Sequence, residues 1–268
     1  MGSDMWPVIP DGVDPSLYYI CVGLAVLTIG IAKAGFGGGI GILAVPLMAV
    51  VMPAEQMIGV LLPVLILADI LSNLHHLKQY EWRLMKWLLP GMVIGIAIGT
   101  FLFIQLSGSA NKGTIDSTLK LLVGSICLAV VMLQFFKLFG KEPPTLPKHP
   151  LSSVVIGSAA GVASTLSHAA GPIVSIYLVQ EKVEKRKIVG TLCLFFMIMN
   201  LCKLPTYFYM GYINTFTLKN SIWFLPLLPI GTLAGAWMNK RVPEKPFAMI
   251  IYITAGIAAA FMIYKVVV

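Results

Sequence analysis

The sequence has few charged residues: Asp, Glu, Lys and Arg make up 11% of its 268 positions. In soluble domains these residues make up about a quarter of the chain. The apolar share is 58% and the mean hydropathy is +0.89. This composition excludes a soluble globular protein and indicates a membrane protein. Since one bilayer crossing takes about 20 residues, the chain is long enough for about eight to ten crossings and leaves no room for a separate soluble domain.

Motifs that carry chemistry are also missing. The four cysteines lie in apolar stretches without CxxC spacing, so neither a disulfide framework nor a metal site is indicated. The sequence contains no Walker loop, no GxSxG and no HExxH, so no motif of an ATPase, hydrolase or metalloprotease supports an enzyme. We therefore expect no catalytic residue, no metal and no cofactor. The first residues lack the basic segment of a signal peptide and are interpreted as a short polar tail.

Six apolar runs are long enough to cross a bilayer as single helices. They cover residues 57–74, 87–106, 118–137, 188–206, 220–237 and 247–264. Two further regions, 17–52 and 151–180, are interrupted by stretches 35–39 and 164–172, which are rich in small residues. Glycine costs about 1 kcal/mol and proline about 3 kcal/mol in a helix interior. We therefore expect the helices to break there, and each region to form a hairpin of short helices.

The two halves of the sequence resemble each other. The matched positions have a nearly constant separation along the chain. They are Gly39 and Gly171, Gly59 and Gly190, Asp69 and Asn200, and the motifs Gly95-x-x-x-Gly99 and Gly231-x-x-x-Gly235. Glycine is common in membrane helices, so each match is weak alone, but the constant separation predicts an internal duplication.

The basic residues indicate how the two copies are oriented. If both broken regions return to the side from which they came, each half has three full crossings, and this odd number inverts the second half. Most of the 19 lysines and arginines then lie in inner loops, as the positive-inside rule requires. We therefore predict an all-α polytopic membrane protein of two inverted repeats, each a broken-helix hairpin plus three transmembrane helices. Both termini are predicted to lie outside.

The predicted boundaries divide one integral membrane domain into four parts. They are an outer N-terminal tail at 1–16, repeat 1 at 17–138, an inner linker at 139–150 and repeat 2 at 151–268. Inverted repeats with helices broken at corresponding positions indicate a secondary transporter whose binding site lies near the bilayer midplane.

The broken helices suggest an anion site. Free N–H groups and the positive end of the helix dipole attract anions to a helix N-terminus. Gly37, Gly38 and Gly39 in the first half, and Ala170 and Gly171 in the second, precede such helix starts. Their small side chains would let the backbone reach a ligand. The alternative is that these residues only allow close helix packing.

Few ionisable residues lie inside the apolar regions. A charge such as that of Asp69 costs at least about 2.5–3.5 kcal/mol at a helix centre, so this side chain should face protein or water. Lys33 and Lys203 are the cations best placed to neutralise an anion, although each can also extend to the membrane surface. His168 lies beside the second break, where it would donate to an anion, carry a proton or serve the structure alone. Asp69 and His168 are our candidates for coupling transport to H⁺ or Na⁺.

Three stretches of the sequence resemble the TauE/SafE family of membrane anion transporters, the sulfite exporters. The stretches are AKAGFGGGIGILAVPLM, STLSHAAGPIVSIYLVQ and GTLCLFFMIMNLCKLPTYFYMGY. They are similar to the family's glycine-rich break ending at Pro46, its His-x-x-Gly-Pro form at His168, Gly171 and Pro172, and its Asn-x-x-Lys-Leu-Pro stretch at Asn200, Lys203 and Pro205. The likeness covers essentially residues 17–265. It implies transport of sulfite or a small organosulfonate across the bacterial inner membrane.

These observations favour a secondary transporter that exports a small sulfur-containing anion by alternating access. The candidate substrate-binding residues are Lys33, Gly37, Gly38, Gly39, Ser167, His168, Ala170, Gly171, Asn200 and Lys203. The expected surroundings are the lipid bilayer, without nucleic acid, because orientation and anionic lipid explain the basic loops. A homodimer stays open, since the two glycine motifs can pack helices within one chain or between two.

Two other functions stay open. One is a non-transporting membrane subunit that scaffolds a partner through its basic inner loops. That function predicts a dry interior without a cavity, in which Asp69 pairs with a lysine. The other is a membrane-embedded enzyme that uses Ser164, Thr165, Ser167 and His168, although hydroxyls at helix breaks more often satisfy free backbone groups.

Overall fold

The computed structural model describes residues 7–35, 41–75, 79–108, 112–138, 149–181, 183–241 and 244–267. Within these ranges the regular structure consists of eleven α-helices and one short 3₁₀ helix, without a strand. The first half contains α1 (Pro15–Gly35), the 3₁₀ helix (Gly41–Leu43), α2 (Ala44–Ala49), α3 (Ala54–His75), α4 (Trp82–Gly108) and α5 (Lys112–Leu138). The second half contains α6 (Pro150–Ser167), α7 (Gly171–Val179), α8 (Lys185–Tyr209), α9 (Thr215–Phe224), α10 (Leu227–Arg241) and α11 (Glu244–Val267).

Seven of these helices are long and apolar enough to cross a membrane: α1, α3, α4, α5, α6, α8 and α11. Helices α9 and α10 together would make an eighth span, bent by 45°. This agrees with the prediction of an all-α polytopic membrane protein. The prediction of one helix over 220–237 is wrong, because the chain turns between Phe224 and Leu227. Pro226 explains the turn, since proline has no N–H to donate and clashes with the carbonyl of the preceding helical turn.

The first helix of each half, α1 or α6, is long because its start is capped. Helix α1 begins at Pro15, and the Asp14 side chain accepts a hydrogen bond from the Leu17 N–H at 2.9 Å. Helix α6 begins at Pro150, and the His149 side chain caps it by accepting from the Leu151 N–H at 3.2 Å. Both starts combine a side-chain cap with proline at the first helical position, where its missing N–H costs nothing. Helices of 21 and 18 residues result, so the first helix of each broken region is longer than the short helices that the sequence predicts there.

The second broken region changes direction within three residues. Helix α6 ends at Ser167, and His168 adopts the left-handed conformation with φ of +53°. Helix α7 then begins at Gly171, with Pro172 in its first turn. In the first half α1 ends at Gly35 and the next described helix begins at Gly41.

Glycine contacts join the two halves. The most extensive helix contacts pair α4 with α6 and α1 with α10. A Cβ atom on Gly95 would lie 2.1 Å from the Ser158 carbonyl oxygen on α6, and one on Gly235 would lie 2.5 Å from the Ile31 carbonyl oxygen on α1. Only glycine permits such close backbone approach. Both Gly-x-x-x-Gly motifs therefore pack helices within this chain.

These contacts are reciprocal between the halves. Gly59 of the first half packs against the Tyr212 carbonyl of the second, and Gly190 of the second packs against the Gln79 carbonyl of the first. Helix α4 likewise packs on α6, the first helix of the second half, and α10 packs on α1, the first helix of the first half. Two copies related by a two-fold axis would make such exchanged contacts, which supports the duplication. The inverted orientation stays a prediction.

The helices differ in how deeply they are buried. In the most apolar 18-residue stretch of α1, α3 and α8, 56% is buried inside the protein. In the corresponding stretch of α11, 28% is buried. Helices α3 and α8, the third elements of the two halves, pack against each other. The centre of the molecule is therefore the α3–α8 contact, with α11 at the periphery.

Candidate functional site

Polar side chains gather where α3 and α8 meet the ends of α1 and α6. Five of them are buried and one, His168, is half-buried: Lys33, Asp69, Ser164, His168, Asn200 and Lys203. Asp69 and Lys203 each have 0% exposure. A buried charge is tolerated only with compensating partners, so their contacts indicate how the site is built.

Asp69 holds the first charged group of the site. Its Oδ1 accepts from Lys33 Nζ in a salt bridge, and its Oδ2 accepts from Asn200 Nδ2 at 2.6 Å. The three residues lie on α3, α1 and α8, so this contact joins both halves. Lys33 Nζ also lies 4.8 Å from the centre of the Phe196 ring. An ammonium pairs favourably with a carboxylate and with an aromatic face, which explains why Lys33 is buried instead of reaching the membrane surface.

Lys203 holds the second charged group and has different partners. Its Nζ donates to Ser164 Oγ at 2.9 Å and to the Ser164 carbonyl oxygen at 3.3 Å. It lies 2.9 Å from His168 Nδ1. Among the residues that the structure describes, no carboxylate oxygen lies within 4 Å of Lys203 Nζ. This lysine is therefore hydrogen-bonded but has no direct ion-pair partner.

The two ring nitrogens of His168 are both engaged. Nε2 lies 3.1 Å from the Ile58 carbonyl oxygen on α3, which can only accept, so Nε2 carries the hydrogen. Nδ1 then accepts from the Lys203 ammonium. These contacts assign a neutral imidazole that connects the second break to α3 and α8.

A small cavity lies at the break between α6 and α7, with a volume of about 50 Å³. One water molecule needs about 10–15 Å³ of such space, so the cavity has room for about four waters or one small ion. Its polar wall consists of Lys33, Ser164, His168, Asn200 and the backbone of 169–172, and its apolar wall of Ile29, Ala32, Ile42, Leu65 and Phe196. Both halves therefore line it.

The start of α7 adds backbone donors to this cavity. The first N–H groups of a helix have no acceptor within the helix, and they lie at the positive end of the dipole. Ala169, Ala170 and Gly171 line the cavity at this end, and the buried Ala170 is the residue before the helix. The arrangement presents a lysine ammonium, an amide and a helix N-terminus to the same small space, which suits an anion.

The structure brings most of the predicted site residues together. Lys33, His168, Ala170, Gly171 and Asn200 line the cavity. Lys203 lies behind this wall, where it contacts Ser164 and His168. Asp69 lies behind Lys33 and Asn200.

Two other parts of the prediction have different outcomes. Ser167 is not part of the cavity wall, because its hydroxyl donates to the Ala163 carbonyl oxygen at 2.8 Å. Gly37, Gly38 and Gly39 lie outside the described residues. The apolar wall was missed by sequence reasoning, since Leu65 and Phe196 look like any other apolar residue of their helices.

Related positions of the two halves carry exchanged residues. Lys33 corresponds to Ser164, Ser72 to Lys203, and Asp69 to Asn200, each pair being 131 positions apart. Each half thus has one lysine and one serine at these two positions, and where one half has the lysine the other has the serine. Asp69 and Asn200 contact each other directly, as residues beside a two-fold axis would. The site is therefore nearly symmetric in position but asymmetric in charge.

The contacts also bear on the two alternative functions. Asp69 pairs with a lysine, as the scaffold function expects, but a cavity lies beside the pair. The Thr165 hydroxyl donates to the Gly161 carbonyl oxygen at 2.8 Å, so Thr165 and Ser167 both satisfy backbone groups of their own helix.

A comparison with protein families finds one match. Residues 22–262 match the family model described as Sulfite exporter TauE/SafE. The match includes both halves and all cavity residues. No curated protein and no solved structure gives a significant match to the chain.

Proposed function

This chain belongs to the TauE/SafE sulfite exporter family, and from that premise we propose that it is a secondary transporter that exports sulfite or a small organosulfonate. Membership makes the chain a multi-pass membrane transporter and agrees with the expectation that it is not an enzyme. The proposal adds the bacterial inner membrane as its location, with both termini outside.

One observation carries this proposal: Lys203 is a fully buried cation without a carboxylate partner among the described residues, beside a cavity of the size of a small ion. Lys33 and Asp69 compensate each other, so Lys203 leaves one positive charge uncompensated. An uncompensated charge is costly in a membrane interior, and a bound monovalent anion would supply the missing partner.

The anion would be held directly by groups of the cavity wall. The lining residues that carry donors are Lys33, Asn200, whose amide also donates to Asp69 Oδ2, and Ala170 and Gly171 through their backbone N–H groups; Pro172 has no N–H. Lys203 would act through Ser164 and His168, which separate it from the cavity. Gly37, Gly38 and Gly39 would offer the corresponding backbone donors from the first half.

The size and lining of the cavity bear on which anion binds. A volume of about 50 Å³ suits a compact oxyanion such as sulfite. Leu65 and Phe196 would accommodate at most a short apolar group such as that of methanesulfonate. Longer sulfonates would need side chains to move, and we expect them to compete weakly.

Alternating access would involve the two repeats, over 17–138 and 151–268, moving against each other about the α3–α8 contact. The reciprocal glycine contacts support this arrangement, because each repeat packs on the other through the same elements. A homodimer is not required, since both Gly-x-x-x-Gly motifs pack within the chain. Coupling to H⁺ or Na⁺ would use Asp69 or His168.

Efflux of sulfite from loaded proteoliposomes tests the proposal. We expect Lys203→Met to reduce the efflux rate at least about tenfold, because removing the uncompensated charge removes the attraction for the anion. Lys219→Met, which neutralises a lysine on α9 that does not line the cavity, should transport like the parent protein. Parental efflux in Lys203→Met would exclude this lysine from the pathway, and absence of efflux from the parent would refute sulfite as the substrate.

A further inference from the structure

The buried pair of Lys33 and Asp69 connects the cavity to a group that can bind a proton. Lys33 lines the cavity, and its ammonium donates to Asp69 Oδ1. Asp69 itself has 0% exposure and does not line the cavity. As long as Asp69 is ionised, much of the positive charge of Lys33 is already neutralised. The availability of Lys33 to a bound anion therefore depends on the charge of Asp69.

The contacts of Asp69 are unsuited to a sodium ion. Both carboxylate oxygens accept hydrogen bonds from nitrogen donors, Lys33 Nζ on one and Asn200 Nδ2 on the other. Hard cations need several oxygen ligands. The described residues contain no group of three or more His, Cys, Asp or Glu side chains that could hold a metal ion. A proton needs only one oxygen of Asp69.

His168 is poorly placed to take up the coupled proton. Its Nε2–H already donates to the Ile58 carbonyl oxygen, and its Nδ1 accepts from Lys203. A second proton on the ring would have to displace the Lys203 ammonium and would place two positive charges in contact. Of the two coupling candidates, Asp69 can therefore bind a proton without placing two positive charges in contact, whereas His168 cannot.

We propose that the Lys33–Asp69 ion pair couples transport to protons: a proton that binds to Asp69 releases the Lys33 ammonium to the anion, so one proton and one monovalent anion move together. The inference rests on the proposed function and adds its coupling ion and stoichiometry. The proton enters onto a carboxylate oxygen of Asp69, and Lys33 stays charged throughout. When the anion leaves, Asp69 loses the proton and pairs with Lys33 again.

Several charged or titratable groups surround Asp69. Lys33 approaches from α1, and Cys193, Asn200 and Lys203 belong to α8. Lys33 is the ion-pair partner of Asp69. An anion that approaches Lys33 competes with Asp69 for its ammonium, and a carboxylate that loses its cation in an apolar interior binds a proton more readily. By linkage, the proton and the anion strengthen each other's binding.

The electrical consequence separates this mechanism from uncoupled transport. One proton and one monovalent anion carry no net charge, so transport by the parent protein should not respond to membrane potential. A pH gradient should instead drive accumulation of the anion on the more alkaline side, by about tenfold per pH unit at equilibrium. Export then takes place when the outward concentration ratio of the anion exceeds the proton concentration ratio. Asp69→Asn removes the proton site and leaves Lys33 permanently free. This variant should carry the anion alone, and its flux should respond to membrane potential.

Proteoliposomes with imposed pH gradients and potassium diffusion potentials provide the test. The probe is sulfite in mildly acidic buffer, in which the monovalent hydrogen sulfite ion predominates, with protein-free vesicles as the blank. The parent and Asp116→Asn, whose carboxylate lies on α5 and bonds the Ala54 N–H and Lys120, should accumulate sulfite with the pH gradient. In Asp69→Asn the accumulation should fall from about tenfold per pH unit to none, while downhill, voltage-sensitive flux is kept.

Four results would overturn parts of this account in different ways. Absence of sulfite flux in the parent would refute the proposed function itself. Parental flux that is driven by voltage and not by the pH gradient would refute proton coupling alone, and this measurement needs no variant to fold. Retained pH-driven accumulation in Asp69→Asn would exclude Asp69 as the proton site. A monodisperse Asp69→Asn protein without any downhill flux would show that a free Lys33 does not suffice for the anion.

Discussion

At the scale of single residues, the site depends on a few buried polar side chains in an apolar interior. Lys203 and Asp69 were recognisable from the sequence because ionisable residues inside apolar runs are rare. Their partners were not. The Lys33–Asp69 pair joins residues 36 positions apart, and only the crossing of α1 and α3 brings them together. The apolar wall formed by Leu65 and Phe196 left no signal, since such residues are common throughout the sequence.

His168 combines an unusual backbone conformation with two side-chain contacts. Its φ of +53° is rare for residues other than glycine, although Asn adopts it readily. We expect His168→Ala to lower the free energy of unfolding by about 2–3 kcal/mol, through lost hydrogen bonds to Lys203 and Ile58 and left-handed strain. His168→Asn should cost about 1 kcal/mol less, because Asn tolerates the conformation.

Thermal unfolding in detergent, read by tryptophan fluorescence, would compare the two His168 variants. Both should also lose sulfite efflux, since neither side chain reproduces the contact with Lys203. Equal stability of the two variants would contradict the role assigned to the left-handed backbone. Full efflux in either would show that the imidazole does not maintain the cavity.

At the scale of helices, five of the six single spans predicted from the sequence lie within one observed helix each. The errors in the prediction have local causes. The run 220–237 looked continuous by hydropathy, but Pro226 separates α9 from α10. Helix α1 begins before residue 17, the predicted start of its region, because Asp14 and Pro15 form the start of the helix. Hydropathy averages over a window, whereas capping residues and prolines act at single positions, so the ends of helices are harder to predict than their existence.

The glycine contacts between helices give a direct prediction. Gly95→Ala would place its Cβ 2.1 Å from the Ser158 carbonyl oxygen, and backbone atoms cannot yield without separating α4 from α6. We expect a loss of about 1–3 kcal/mol in the free energy of unfolding, typical of overpacked sites. Gly113→Ala on α5 has no atom within 4 Å of the added carbon, so it should be neutral or stabilising by up to about 1 kcal/mol.

Midpoints of thermal unfolding in the same detergent would compare these two glycine variants. Gly235→Ala should behave like Gly95→Ala, because its Cβ would lie 2.5 Å from the Ile31 carbonyl oxygen in the corresponding pair of α1 and α10. If Gly95→Ala proved as stable as Gly113→Ala, close packing of α4 on α6 would not be what these glycines provide.

At the scale of the whole molecule, the constant separation of glycines predicted the duplication, and the exchanged contacts of the two halves support it. The asymmetry of charge was harder to foresee. Lys33 and Lys203 occupy positions that do not correspond, so each half carries a lysine where the other carries a serine. The structure shows what this exchange means for the site, because Lys33, Ser164 and Lys203 lie in or behind the wall of one cavity. A site shared by both halves then combines one ion pair with one uncompensated lysine.

The cavity shared by the two halves should bind one small anion through the charge that Lys203 leaves uncompensated. Equilibrium dialysis of the purified protein with radiolabelled sulfite measures this binding without requiring transport. We predict about one sulfite bound per chain, with affinity at least about tenfold lower in Lys203→Met and unchanged in Lys219→Met. Sulfite bound equally well by Lys203→Met, or not bound by the parent protein, would contradict the claim.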